Sequence, residues 1–350
     1  MTNYHESWVK LTKEAALEPE IPICDSHHHL WDYPDSCPES LIRESARPVR
    51  HYPLENFLKD AAGGHKIIRT VFMQCGYMYK NDGPQPLRPI GETEFAENIG
   101  SHAAKDNCLG TAVADGIVGF ADLMLGSEVN RVIEAHIAAS PTRFRGIRFV
   151  TPCDAFVGTS SPTTSRNLLA DAKFKEGFRQ LQKYGLSFDA WLYYFQLPDL
   201  VELARSFPYT TVILDHIGTP LGLGPFSNKR EDVFREWKKG IAELSACGNV
   251  VVKLGGLGMP ICGFGWNKRK TPINSIDLAG AMAPYYHWCI EKFGVKRCMF
   301  ESNFPVDKSS YSYTILWNAF KRITKNYSSA DKVQLFQGTA MRVYRLHGSC

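Results

Sequence analysis

Eight short apolar runs, rich in β-branched residues, recur along the chain and alternate with stretches of helical period. They are "IPICDSHHHL" (21–30), "KIIRTVFMQC" (66–75), "GIVGFADLML" (116–125), "FRGIRFV" (144–150), "LSFDAWLYY" (186–194), "TTVILDHIG" (210–218), "NVVVKLGGLG" (249–258) and "RCMFESNFP" (297–305). In "SEVNRVIEAHIAA" (127–139), "AKFKEGFRQLQKYG" (172–185), "QLPDLVELARSF" (196–207), "REDVFREWKKGIAELSAC" (230–247) and "MAPYYHWCIEKFG" (282–294), apolar residues return every three or four positions. Near-continuous apolar strands separated by helices indicate a parallel sheet buried on both faces. Eight such units predict an α/β fold, a closed (β/α)₈ TIM barrel. An open doubly wound sheet is the alternative, but no GxGxxG or GxxxxGK follows an early strand.

The domain reading follows from length and pattern. Residues 1–20 read as an N-terminal extension ending in the linker-like "EPEIP", and 21–350 as one barrel domain. Inserts at 31–65, 76–115 and 151–171 read as loops at the catalytic mouth or small subdomains. "AFKRITKN" and "ADKVQLFQGTAMRVYRL" read as last helices packed outside the barrel. A net charge of +4 is scattered, and the short basic runs "NKRK" (267–270) and "SNKRE" (227–231) suit solvated loops, so no nucleic-acid partner is expected. No secretory pattern and no apolar run of about 20 residues is present, which predicts a cytoplasmic protein without a membrane partner. The ten cysteines form no CxxC pair and read as reduced thiols. The expected partner is a small-molecule substrate, and a homodimer is compatible with this reading.

The first run carries the sharpest chemical signal. Alternate side chains of a strand share a face, so Asp25, His27 and His29 are expected on one side and His28 on the other. His27 and His29 would lie roughly 6.6 Å apart along the strand, close enough for two imidazoles to meet one ion at about 2.0–2.1 Å. Other chemistry-bearing residues sit where runs end. His216 closes "LDHIG", with Asp215 expected on the opposite face as an outer anchor. Arg148 is suited to clamping a carboxylate. Lys253, within "VVVKLGG", needs a buried partner. Glu301 and Asn303 alternate onto one face. Each has a plainer reading as well: a hydrogen-bonded core histidine or an internal ion pair. Gln74, Tyr77 and "GETEF" (91–95) are weaker candidates. Trp191, Tyr193, Tyr194, Phe195 and the glycine-rich "GGLGMPICGFGW" suggest core or a wall for a flat substrate. No GxSxG elbow points to a serine nucleophile.

Taken in order, "DSHHHLWD", "RFRGIRFV", "FQLPDLVELARSFP", "VILDHIGTP", "VVVKLGGLGMP", "MFESNFPVDK" and "GTAMRVYRL" resemble the amidohydrolase 2 branch of the amidohydrolase superfamily. The resemblance spans nearly the whole chain. It implies a TIM barrel and a hydrolase that opens a lactone or cyclic ester of a small carboxylated molecule. In this reading His27, His29, His216, Glu301 and Asn303 are catalytic, and Arg148, Lys253, Gln74 and Tyr194 bind substrate. The resemblance also leaves open a decarboxylase, C–C lyase or cyclase of specialised metabolism, or a degenerate binding barrel. Relatives often place histidines or an aspartate where this chain has Phe149, Tyr194 or Phe195, and Asn303. That implies a divalent metal such as Zn²⁺ held only weakly by His27, His29 and His216, or none. Glu301 is then expected to take over the carboxylate role, with a lysine or histidine as its neighbour, and Asn303 to act as a hydrogen-bond donor.

Overall fold

The computed structural model describes residues 2–42, 44–105, 110–151, 153–154, 158–159 and 167–346. Eight strands form one sheet in sequence order: β1 (Pro22–His28), β2 (Lys66–Met73), β3 (Ala112–Gly119), β4 (Phe144–Val150), β5 (Ser187–Trp191), β6 (Val212–Leu214), β7 (Val250–Leu254) and β8 (Cys298–Phe300). Every paired neighbour is parallel. Residues just past the strands join β8 to β1. Asn303 N donates to His27 O at 2.9 Å and His29 N to Phe304 O at 2.7 Å. The barrel is therefore closed by the same segments that carry its histidines.

Around it lie α1 (Leu54–Ala61), α2 (Ile90–Lys105), α3 (Val129–Ala139), α4 (Ala172–Lys183), α5 (Leu197–Ser206), α6 (Arg230–Ser245), α7 (Ser275–Phe293) and α8 (Tyr313–Ile323). Their local causes are legible. The Asp171 carboxylate caps α4 by accepting from Lys173 N and Phe174 N, and Phe174, Phe178 and Leu181 then turn to the barrel at helical spacing. Asn274 caps α7 in the same manner.

Three sequence expectations change here. The inserts at 31–65 and 76–115 contain α1 and α2, the helices of the first two units, as well as loop. The third strand starts at Ala112, not at 116. Asp115 interrupts its apolar pattern, and the fold accommodates it by an ion pair with Arg69. Of the insert at 151–171, positions 152, 155–157 and 160–166 lie outside the described residues. Finally, the C-terminal run does not only pack outside. Ala340, Val343, Tyr344 and Leu346 join Cys24, Ile213, Val251 and Met299 in one buried cluster. Val251 and Met299 lie one pleat below Lys253 and Glu301, so the C-terminus closes the floor of the barrel. The N-terminal extension is tied down too: Glu14 accepts from Ser275 N at 2.9 Å, and Lys321 Nζ donates to Leu17 O at 2.7 Å and Glu18 O at 2.6 Å. Among the described residues, no helix is long and apolar enough to cross a membrane.

Candidate active site

At the end of β1 strict alternation fails. The pairing with β2 slips between Asp25 and His28, an irregularity that lets one strand change which side its residues face. Asp25 consequently leaves the histidines and accepts from Tyr313 Oη and Ser302 N, both at 2.9 Å. Burial pushes its carboxyl up to about 6. His28 faces outward, stacked on Phe57 and hydrogen-bonded to Thr70.

His27 and His29 stay together, with their Nε2 atoms 3.1 Å apart. His29 Nδ1 lies 2.7 Å from Met73 O. A carbonyl only accepts, so Nδ1 carries the proton and the Nε2 lone pair of a neutral His29 points at His27. His27 Nδ1 lies 2.8 Å from Glu301 Oε2 and 3.3 Å from Lys253 Nζ. The nearer carboxylate favours a proton on Nδ1, which leaves two Nε2 lone pairs face to face. Burial, then the Lys253 charge, lowers His27 to about 4, and burial holds His29 well below its ordinary range. A proton is thus a poor way to relieve that contact, while a cation suits it. Two nitrogens bound to one zinc at about 2.0–2.1 Å at the tetrahedral angle stand roughly 3.3 Å apart, near the observed separation.

β6 ends early, and a single turn follows. His216 and Ile217 take positive φ values of 54° and 50°, so Asp215 and His216 both face the interior. Asp215 is therefore part of the site and not an outer anchor. Its Oδ2 accepts from Arg148 Nε at 2.9 Å, and its Oδ1 lies 2.9 Å from Lys253 Nζ. Lys253 also donates to Asp189 Oδ1 at 2.8 Å, an atom that Tyr344 Oη reaches at 2.5 Å. Lys253, Asp189 and Asp215 are fully buried. Burial raises Asp189, and burial is outweighed at Asp215 by Lys253 and Arg148, which hold it well below the carboxylate range. At Lys253 the three carboxylates overcome burial and raise the ammonium. Among the described residues, His27, Asp215 and His216 each offer a donor atom within 4.8 Å of the other two. Asp215 is already paired with two cations, whereas the facing Nε2 atoms of His27 and His29, 3.1 Å apart, could hold a metal.

His216 Nδ1 and its backbone N–H both donate to Glu301 Oε1, at 2.7 and 3.0 Å. Glu301 Oε2 faces His27, so both carboxylate oxygens serve histidines. Burial would raise Glu301, but His216 and His27 dominate and hold it ionised. His216 Nε2 is left with its lone pair, 3.4 Å from Arg148 Nη2. Gly255 and Gly256 explain the glycines after β7: an added Cβ would fall 2.3 Å from Glu301 Cγ and 2.5 Å from His216 Cβ.

The candidate residues divide as follows. His27, His29, Arg148, His216, Lys253 and Glu301 converge in one contact network. Asn303 adjoins it through the His27 carbonyl. Gln74 contributes its backbone oxygen, which accepts from Arg148 Nη1 at 2.8 Å, while its side chain donates to Tyr79. Glu92 steadies that loop by accepting from Cys75 N and Tyr77 N. Tyr194 packs its ring on Phe195 and Phe226. Phe149 packs on Phe120 and Phe174, on the helix side of β4, so position 149 does not point at the histidines and its identity does not weaken the donor set. Sequence reasoning missed Asp189 and Asp307, and it placed Trp191 only among aromatics of the core or a substrate wall. An acid inside the apolar run "LSFDAW" carried the same signal that marked Lys253. The Trp191 ring lies 5.3 Å from the Arg148 guanidinium and 6.1 Å from the His216 ring.

Comparison with known proteins gives a consistent result. The family model described as "Amidohydrolase" matches residues 24–346. The uncharacterized protein y4mH of Sinorhizobium fredii (strain NBRC 101917 / NGR234) is 33% identical over 339 residues, covering 93% of this chain and 99% of that one. An L-fucono-1,5-lactonase of Burkholderia multivorans (strain ATCC 17616 / 249) is 28% identical over 233 residues, 66% of this chain and 71% of the lactonase. Among solved structures, a Burkholderia multivorans amidohydrolase with bound zinc superposes with a TM-score of 0.71 at 23% identity, covering 93% of this chain and 99% of that chain.

Proposed function

The chain belongs to the amidohydrolase family, and from that premise we propose that it hydrolyses a lactone or related cyclic ester of a small hydroxylated molecule. The observation that carries this reading is the His216–Glu301 pair. Glu301 accepts the Nδ1 proton at 2.7 Å, which leaves Nε2 as a base beside a guanidinium donor. In this mechanism His216 Nε2 takes a proton from water as the oxygen attacks the ring carbonyl. A spare N–H of Arg148 Nη2 donates to the developing oxyanion. The tetrahedral centre collapses, the ring C–O bond breaks, and His216 returns the proton to the departing oxygen. Glu301 stabilises the imidazolium in between, so it positions and does not itself touch water.

A divalent ion held by the facing Nε2 atoms of His27 and His29 would, when bound, supply Lewis-acid polarisation of the carbonyl, and His216 Nε2 stays free to act as the base. Two observations shape the substrate. Asp215 and the Gln74 carbonyl already engage Arg148, so a substrate carboxylate would compete with a buried ion pair, and a neutral ring is favoured. Trp191 offers a flat face beside the base, suited to the C–H face of a sugar-like ring. The lactonase relative supports the same class.

The test is turnover of a panel of aldonolactones, followed by proton release. Glu301→Gln should lower kcat by about 10²–10⁴-fold with folding retained. Decarboxylation of aromatic acids with no lactone opened would refute the reading.

A further inference from the structure

Past the end of β8 the backbone turns at Asn303, with φ 54°, and its amide meets a carboxylate four residues on. Asn303 Nδ2 donates to Asp307 Oδ1 at 2.8 Å. Asp307 Oδ2 accepts from Tyr311 Oη at 2.7 Å and from the Gly258 N–H at 3.0 Å. Asn303, Asp307 and Tyr311 are buried. The contact is tight: a Cβ on Gly258 would fall 2.4 Å from Tyr311 Oη and 2.6 Å from Asp307 Oδ2. An ionised carboxylate only accepts, so the nitrogen end of Asn303 must face Asp307. Its oxygen is left for the opposite side, and no described residue donates to it. The sequence reading has Asn303 present a donor; here one amide N–H is taken by Asp307 and the oxygen is turned the other way.

We propose that Asp307 is a positioning residue that holds Asn303 with Oδ1 toward the reacting centre, so that position 303 accepts a hydrogen bond from a hydroxyl of the substrate or from the attacking water. The site thus has its carboxylate and amide transposed, with the charge at 307 and the neutral acceptor at 303. The functional half of this statement rests on the ring-opening reading above, and its ligand class is a molecule rich in hydroxyl groups.

A four-protein cycle tests it: the parent, Asn303→Asp, Asp307→Asn and the double variant, at about pH 8, where an acid raised to about 7 is mostly ionised. Asn303→Asp places two buried carboxylates against each other and should lower Tm by about 5 °C. Asp307→Asn frees the amide to turn and should lower kcat/KM about tenfold or more. The double variant restores one carboxylate and one amide in the opposite order. It should return to within about 2 °C of the parent Tm and exceed Asp307→Asn in kcat/KM. A purely structural Asp307 would give the Tm recovery without the recovery of kcat/KM. Additive Tm losses in the double variant overturn the proposal. If the parent opens no lactone, the ring-opening reading fails, but the Tm cycle needs no substrate and still decides the orientation. If Asp307→Asn does not fold, a double variant that folds and outlasts Asn303→Asp supports the proposal, and one that does not fold overturns it.

Discussion

Replacing Lys253 with methionine removes the cation that joins Asp189 to Asp215 in the middle of the barrel. Both acids are fully buried, and Lys253 lies 2.8 and 2.9 Å from them. Arg148 still serves Asp215, but Asp189 keeps only Tyr344 and Ser187 as donors. Removing one partner of a buried pair costs about 3–5 kcal/mol, because the other charge is left in a medium that cannot solvate it. An unfolding entropy of about 2.1 cal/mol/K per residue over 350 residues is roughly 0.7 kcal/mol/K. Each kcal/mol then shifts Tm by roughly 1.4 °C, so Lys253→Met should lower Tm by about 4–7 °C. Scanning calorimetry at low and high salt measures this. The loss should be nearly independent of salt, since buried pairs are little screened. Adding Asp189→Asn should recover at least half of it, because the stranded charge is gone. A drop below about 2 °C, or a second full loss on adding Asp189→Asn, would falsify the view that this network is held together by desolvated charge.

Three more outcomes follow from the same contacts. Gly256→Ala should abolish turnover and lower stability, since the residue has φ +74° and its new Cβ would overlap His216; retained activity would show that the β7 loop gives way. Tyr344→Phe should cost about 1–3 kcal/mol in denaturant unfolding by taking a donor from Asp189; no change would mean that the C-terminal plug acts through apolar contact alone. Burial lowers His136 from 6.5 to about 4, so the unfolded chain takes up a proton before the folded one does. Its share of stability is complete above about pH 6.5 and is lost as pH falls toward 4, up to roughly 3 kcal/mol. His136→Gln should flatten that limb of the curve, and an unchanged slope would place the effect elsewhere.

Several features of this protein were determined by the sequence alone. The apolar runs reported the barrel because burial on both faces of a parallel sheet leaves no polar position to interrupt them. The H-x-H at the end of the first run reported a site, because residues at strand C-termini share one mouth. Lys253 within "VVVKLGG" announced a buried partner, since an ammonium in such a run cannot remain alone. Missing from local pattern was the side on which several residues fall. Asp25 and Asp215 were assigned by alternation, and both moved. A pairing slip in β1 and a left-handed turn after β6 override the period of two, and each depends on what neighbouring strands allow. Phe149 turned to the helices while Arg148 beside it turned inward. Which acid meets which base was also a tertiary matter: Glu301 bridges His216 and His27, and Asp307 holds Asn303 from across a turn. These contacts join residues from different strands and loops, and no spacing along the chain encodes them. Helices α1 and α2 escaped notice for a related reason. Their stability comes largely from the barrel face they cover, and propensity along the chain is weak beside that burial.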